Sequence, residues 1–204
     1  RVITTSRTIT TEDLVAPVIS CPADVTVNCG DNTSTTATGD ATATDNCSTP
    51  TVTHTDANSL TGCYDSGTIT RTWTATDACG NTATCVQVIT VNPPAPATFS
   101  AVSNITVQGC VAPAPTTLSY SNGLTGGCEI SGSVVGVITG NQNVCGGAYT
   151  ETWTYTDACG RVITTSRTIT TEDLVAPVIS CPADVTVNCG DNTSTTATGD
   201  ATAT

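Results

Sequence analysis

The chain has 204 residues and a formal net charge of −12 at pH 7, and only 11% of its residues are charged. Its basic residues are five arginines, too few to form the basic patch that nucleic-acid binding requires, so no nucleic-acid partner is expected. No segment is long and apolar enough to predict a membrane-spanning helix.

Short segments in which apolar and polar residues alternate predict β-strands along the whole chain. In chain order, strands A, B, C, F and G of the first repeat are predicted over residues 19–29, 36–44, 50–55, 68–76 and 82–91. Strand F is the clearest case, because every second residue from Thr68 to Thr76 is threonine, which fits a pleated strand with water on one side. The predicted fold class is all-β, with tandem immunoglobulin-like β-sandwich domains stapled by disulfide bonds.

Two internal repeats organise the chain. Residues 1–44 recur letter for letter as residues 161–204, an offset of 160. A weaker repeat lies inside this period, since Thr72–Gly80 matches Thr152–Gly160 with an offset of 80. The chain is therefore expected to be an excerpt of a longer array, and its predicted parts are the last strand of a preceding domain (1–12), two complete domains (16–92 and 97–171) and the first strands of the next repeat (176–204).

Twelve cysteines in a chain with few aromatic residues indicate an oxidising, extracellular compartment. The second repeat lacks the counterparts of Cys21 and Cys85. Two cysteines that disappear together are most simply explained as partners, so we predict a Cys21–Cys85 bond.

The expected sandwich topology suggests partners for the remaining cysteines. If strand A runs parallel to strand G, Cys29 at the end of A lies beside Cys63 at the start of F. Strand B then places its end beside the turn between F and G. The predicted bonds are Cys29–Cys63 and Cys47–Cys79 in the first repeat, with Cys110–Cys145 and Cys128–Cys159 as their equivalents in the second. The partners of Cys181 and Cys189 are expected beyond Thr204.

No pattern of catalytic residues is present. The single histidine, His54, lies in an alternating segment, and a catalytic triad or a histidine-based metal site needs partners that this chain lacks. No P-loop, nucleophile elbow or zinc-binding spacing occurs. We therefore interpret His54 as an exposed strand residue and expect neither catalysis nor a cofactor.

Calcium is the one alternative to the absence of a cofactor. The predicted bond between the end of B and the F–G turn would bring Asp45 and Asp77 together, and Glu12 and Asp13 lie at a predicted domain junction. The competing interpretation is that Asp45, Asp77 and Asp157 cap tight turns through their own backbone. Turn capping is favoured because no Asp-x-Asp-x-Asp run is present.

Three segments carry a resemblance to a known family: Pro17–Val27 (PVISCPADVTV), Ala43–Cys47 (ATDNC) and Trp73–Cys85 (WTATDACGNTATC). They resemble the hyalin repeat (HYR) domain, which occurs in giant tandem-repeat surface proteins and adhesins of Bacteroidetes-type bacteria. The resemblance is close over residues 17–91 and looser over residues 97–171. It implies an immunoglobulin-like fold, an extracellular location and a role in adhesion or surface architecture, without catalysis.

Two functions are compatible with these patterns. The first is a structural repeat of a secreted filament or fibril at the cell surface, whose partners are copies of itself. The alternative is a passive stalk or binding module of a giant adhesin, which recognises surface glycans or protein. Exact repetition favours the first, because identical units suit lengthwise extension whereas recognition requires only a distinct tip.

Overall fold

The computed structural model describes residues 1–143 and 146–204. In chain order the strands are β1 (Val18–Ser20), β2 (Val25–Val27), β3 (Thr42–Thr44), β4 (Thr51–Ser59), β5 (Gly67–Thr76), β6 (Thr82–Val91), β7 (Thr98–Phe99), β8 (Ile105–Gln108), β9 (Thr117–Ser121), β10 (Ser131–Val135), β11 (Val137–Asn143), β12 (Gly146–Thr156), β13 (Val162–Glu172), β14 (Ile179–Ser180) and β15 (Thr202–Ala203). Two one-turn helices, α1 (Thr35–Thr38) and α2 (Thr195–Thr198), and two 3-10 turns, Cys63–Asp65 and Gly126–Cys128, complete the described elements. The predicted all-β class is confirmed. Within the described ranges, no helix has the length and apolar character needed to cross a membrane.

The main sheet of the first repeat has the strand order β2-β6-β5-β4. β2 runs parallel to β6, whereas the β6–β5 and β5–β4 pairs are antiparallel. These four strands correspond to the predicted strands A, G, F and C, and the parallel pairing of A with G is the one expected for an immunoglobulin-like sandwich. The alternating pattern buries Ile69, Trp73 and Ile89, which are 5%, 3% and 0% exposed, and turns the threonines of β5 to the opposite face.

The second repeat has the corresponding order, β11-β12-β13-β8. Its parallel pairing joins Ile105 to Ile169, which lie 80 residues beyond the paired Val25 and Ile89 of the first repeat. Trp153 and Ile169 are 1% and 0% exposed. The 80-residue repeat therefore exists in the strand register and in the core, as well as in the letters of the sequence.

Strand B of the first repeat is shorter than predicted. Only Thr42–Thr44 is extended, whereas Thr35–Thr38 forms the one-turn helix α1. The Thr38 hydroxyl donates to the Ser34 carbonyl and accepts a hydrogen bond from the buried Arg71, which holds this turn against the sheet. Gly39 then ends the helix with a φ of 97°, a left-handed conformation that favours glycine.

The described chain forms two compact units. The first comprises residues 1–101, 116–136 and 153–165, and the second comprises residues 102–115, 137–152 and 166–204. The first unit contains the β2-β6-β5-β4 sheet, the two-stranded sheet β1-β3 and the three-stranded sheet β10-β9-β7. The second contains the parallel β8–β13 pairing and the two-stranded sheet β14-β15. The limits of the predicted domains, 16–92 and 97–171, stay a prediction.

Candidate functional site

The disulfide between Cys21 and Cys85 is present, with the two Cα atoms 5.9 Å apart, as the comparison of the repeats predicted. It ties the residue that follows β1 to the middle of β6 and closes a loop with a sequence separation of 64. A loop of this length corresponds to about 4 kcal/mol of stabilisation in the chain-entropy model. This bond lies wholly inside the first repeat.

Two further disulfides join the first repeat to the second. Cys29 is bonded to Cys128 and Cys63 to Cys159, at sequence separations of 99 and 96. They replace the within-repeat bonds predicted for these four cysteines, Cys29–Cys63 and Cys128–Cys159. All four residues belong to the first compact unit. We call the two bonds the cross-repeat disulfides.

The partner of Cys29 is decided by the turn of the second repeat that reaches it. Cys29 does lie beside the turn that carries Cys63, as predicted, because its Sγ atom is 3.7 Å from the Tyr64 carbonyl oxygen. The 3-10 turn that ends at Cys128 also reaches Cys29, and the Cα atoms of these two cysteines are 5.9 Å apart. The predicted pairing considered only cysteines of the same repeat as partners, so it did not include Cys128 of the second repeat.

Cys63 is directed towards the second repeat by an unusual turn. Tyr64 and Asp65 have φ angles of 54° and 55°, a left-handed conformation that few non-glycine residues adopt. The Tyr64 side chain interacts with the Tyr155 side chain and the Ala158 backbone, and burial followed by the charge of Tyr155 raises the pKa of Tyr64. Tyr155 in turn stacks on Tyr120, with ring centroids 3.9 Å apart. These aromatic contacts hold the turn of Cys63 beside the turn of its partner.

Cys47 and Cys79 are separate, exposed thiols, so the bond predicted between them is not formed. Their turns do meet, because the Ala78 N–H donates to the Ser48 hydroxyl over 3.2 Å. Desolvation and the neighbouring Asp13 carboxylate raise the pKa of the Cys47 thiol. The thiol is therefore held in its protonated, less reactive form.

Three further cysteines of the described residues, Cys110, Cys181 and Cys189, are free thiols. The Cys110 sulfur is 3.9 Å from a carboxylate oxygen of Asp173. Its predicted partner, Cys145, lies outside the described residues. Cys181 and Cys189 are exposed thiols.

Three aspartates form an acidic cluster at the end of the first repeat. Asp13, Asp45 and Asp77 each place a carboxylate oxygen within 4.8 Å of the other two. Oxygen donors at this spacing are the ligands that hard cations such as Ca²⁺ prefer. Glu12, the fourth acidic residue considered for calcium, is exposed and lies outside this cluster.

Turn capping, the competing interpretation, is also present in the acidic cluster. The buried Asp77 accepts hydrogen bonds from the Asn81 side chain and from the backbone N–H groups of Asn81 and Cys79. These bonds, the Asn81 side chain first, lower the pKa of Asp77. Asp45 likewise accepts the N–H groups of Cys47 and Ser48. Both aspartates therefore have a structural role that needs no metal.

The second repeat neutralises its equivalent turn with an arginine. Arg161 stands where the first repeat has Asn81, and its Nε donates to the Asp157 carboxylate at 2.7 Å. Its Nη1 donates to the Pro94 carbonyl at 2.8 Å. Burial alone would raise the pKa of Asp157, but the backbone and side chain of Arg161 lower it overall. The equivalent turn aspartate is thus hydrogen-bonded by an amide side chain in the first repeat and ion-paired with an arginine in the second.

Each repeat also has an ion pair with one buried partner that the sequence interpretation missed. Arg71, 2% exposed, binds both carboxylate oxygens of Asp56 at 2.8 Å. In the second repeat the fully buried Glu151 pairs with Arg167 at 2.8 Å. The signal was available, since Arg71 occupies an inward position of the alternating strand, between two apolar residues. His54, by contrast, is exposed as interpreted.

Residues 17–91 match the family model of the HYR-like domain with 4 cysteines. This HYR-like module is the range over which the resemblance was close, and it contains the Cys21–Cys85 bond and one end of each cross-repeat disulfide. A search of curated proteins found no match. The HYR-like module and the disulfides fit an extracellular adhesion-type repeat module.

Proposed function

We propose that the chain is a structural repeat of an extracellular filament or fibril at the cell surface, and that its partners are further copies of the same repeat. The observation that carries this proposal is the identity of residues 1–44 and 161–204. A period that returns letter for letter is suited to an array in which each unit makes the same contacts with the next.

The packing of the chain supports a mechanical role. The same strand order and parallel register occur twice, 80 residues apart, so one structural design is used repeatedly along the chain. The cross-repeat disulfides add covalent links that a binding domain with independent modules would not need.

A second candidate is the binding module of an adhesin, and one cavity favours it. An open cavity of about 310 Å³ is lined by Asp31, Leu60, Tyr64, Asp65 and the Cys29–Cys128 bond, among other residues. Its volume lies at the lower end of the range for small-molecule sites. An aromatic ring, an aliphatic wall and two carboxylates together suit a sugar with polar and apolar faces. A glycan is therefore the ligand class for this second candidate.

Electron cryo-microscopy of native extracellular material separates the two candidates. Antibodies raised against the chain would be applied to material shed by the producing cells and prepared without a reducing agent. A filament gives ordered threads with a regular axial repeat and label along their whole length. Isolated flexible threads without a regular axial repeat would instead support the adhesin and contradict the filament.

A further inference from the structure

The three disulfides of the described residues interlock. The Cys21–Cys85 bond closes a loop that contains Cys29 and Cys63, whereas the partners of these two cysteines, Cys128 and Cys159, lie outside it. Each of the three disulfide loops contains a cysteine that is bonded to a residue outside that loop. Unfolding therefore cannot separate the first repeat from the second while the bonds are intact.

We infer that the two repeats form one covalently closed unit that limits how far the chain can be stretched under tension. This inference rests on the proposed function, since a filament is what transmits tension along the chain. Force applied to the two ends is carried by the shortest covalent path, not by the full backbone. The cross-repeat disulfides decide which path that is.

The shortest path uses two of the three bonds and passes, in order, through Arg1, Cys21, Cys85, Cys63, Cys159 and Thr204. Its backbone stretches contain 20, 22 and 45 peptide bonds, 87 in all, whereas the linear chain contains 203. At about 3.5 Å per residue the fully stretched oxidised chain spans about 300 Å and the reduced chain about 700 Å. More than half of the backbone is thus shielded from the load.

The shielded part includes only part of each core, with Ile89 of the first repeat and Trp153 of the second, because Ile69, Trp73 and Ile169 lie on the loaded stretches. The Cys29–Cys128 bond lies on a parallel route of 104 peptide bonds, with stretches of 20, 8 and 76. If the Cys63–Cys159 bond breaks, this longer route becomes taut after a further extension of about 60 Å. The structure thus contains a first restraint and a second that acts when the first is lost.

The two disulfide patterns differ in the shortest covalent path between the chain ends. With the within-repeat bonds of the sequence prediction, the shortest path would run through Cys21–Cys85 and Cys110–Cys145. That path also contains 104 peptide bonds, with stretches of 20, 25 and 59. Because it does not use Cys63 or Cys159, their removal would leave it unchanged.

Single-molecule force spectroscopy on the full chain, with handles at both ends, tests the inference. The expected stretched lengths are about 300 Å for the oxidised chain, about 360 Å for the double variant Cys63→Ser, Cys159→Ser, and about 700 Å after reduction with a phosphine. The matched control, Cys47→Ser with Cys79→Ser, removes two free thiols and no disulfide, so it should keep the length of about 300 Å.

One outcome would overturn the inference: equal stretched lengths for the oxidised wild-type chain and for the Cys63→Ser, Cys159→Ser variant. The length is measured on the unfolded, stretched chain, so a loss of native stability in the variant does not imitate the result. The measurement uses isolated chains, so its outcome is independent of filament assembly, which the electron cryo-microscopy decides separately.

Discussion

Removal of the Asp56 carboxylate is expected to destabilise the first repeat strongly. Arg71 is 2% exposed, and Asp56→Ala would leave its guanidinium hydrogen-bonded to the neutral Thr38 hydroxyl and Thr33 carbonyl. Breaking a buried ion pair costs about 3–5 kcal/mol. Because the Asp56 side chain is 30% exposed, water can replace part of the lost interaction. We therefore expect a loss of about 3 kcal/mol, or about 6–12 °C in Tm for a chain of this length.

The pH dependence of this loss follows from the sign of the pKa shift. The hydrogen bond from Arg71, opposed by burial, lowers the pKa of Asp56 in the folded chain. A lowered pKa contributes stability that is present above the unfolded value of about 3.9 and is lost as the pH falls through the folded pKa. The difference between the wild-type chain and the conservative variant Asp56→Asn should therefore be largest near pH 7 and should shrink in acid.

Guanidinium denaturation followed by tryptophan fluorescence measures both effects, with the disulfides kept oxidised. Asp184→Asn, which removes an exposed carboxylate, is the matched control and should change the free energy of unfolding by less than about 0.5 kcal/mol. A loss below about 0.5 kcal/mol for Asp56→Ala, or an Asp56→Asn effect of equal size at pH 7 and pH 3, would show that the ion pair does not stabilise the first repeat.

Three further predictions concern the second ion pair, the acidic cluster and the first disulfide. Glu151→Gln should cost more than Asp56→Asn in the same denaturation assay, because Glu151 is fully buried, and a smaller cost would contradict the burial argument. In a chelating buffer Asp45→Asn should raise the free energy of unfolding by about 0.5 kcal/mol, since it removes one of three neighbouring negative charges. A lower free energy of unfolding would contradict the expected repulsion between these carboxylates. Replacing Cys21 and Cys85 by alanine should lower the free energy of unfolding by about 4 kcal/mol, and an unchanged guanidinium midpoint would contradict this value.

The strands and the core were predictable because they depend on local alternation. In β5, threonine occupies every outward position, so the inward positions of Ile69 and Trp73 follow from the sequence alone. The parallel pairing of the first and last strands followed from the expected immunoglobulin-like topology. The Cys21–Cys85 bond was predictable for a related reason, since the repeat without one cysteine also lacks the other.

The cross-repeat disulfides were not predictable in this way, because they depend on contacts between turns that are far apart in the sequence. The two copies of the identical segment show how strongly such contacts act. Ile9 is 70% exposed and lies outside any strand, whereas its counterpart Ile169 is fully buried in β13, where β12 and β8 supply neighbours. The same letters thus give different structures when the partner strands differ, and cysteine pairing depends on the same long-range information.

Peptide mapping by mass spectrometry identifies the partners of the four cysteines in the cross-repeat disulfides. Free thiols of the unreduced chain would be alkylated, and the chain digested with an acid protease at low pH, where thiol–disulfide exchange is suppressed because thiolates are protonated. The structure predicts linked peptides that join Cys29 to Cys128 and Cys63 to Cys159, with Cys47 and Cys79 recovered in alkylated form. Linked peptides that join Cys29 to Cys63 and Cys128 to Cys159 would show instead that each repeat is closed by its own disulfides and that no disulfide joins the two repeats.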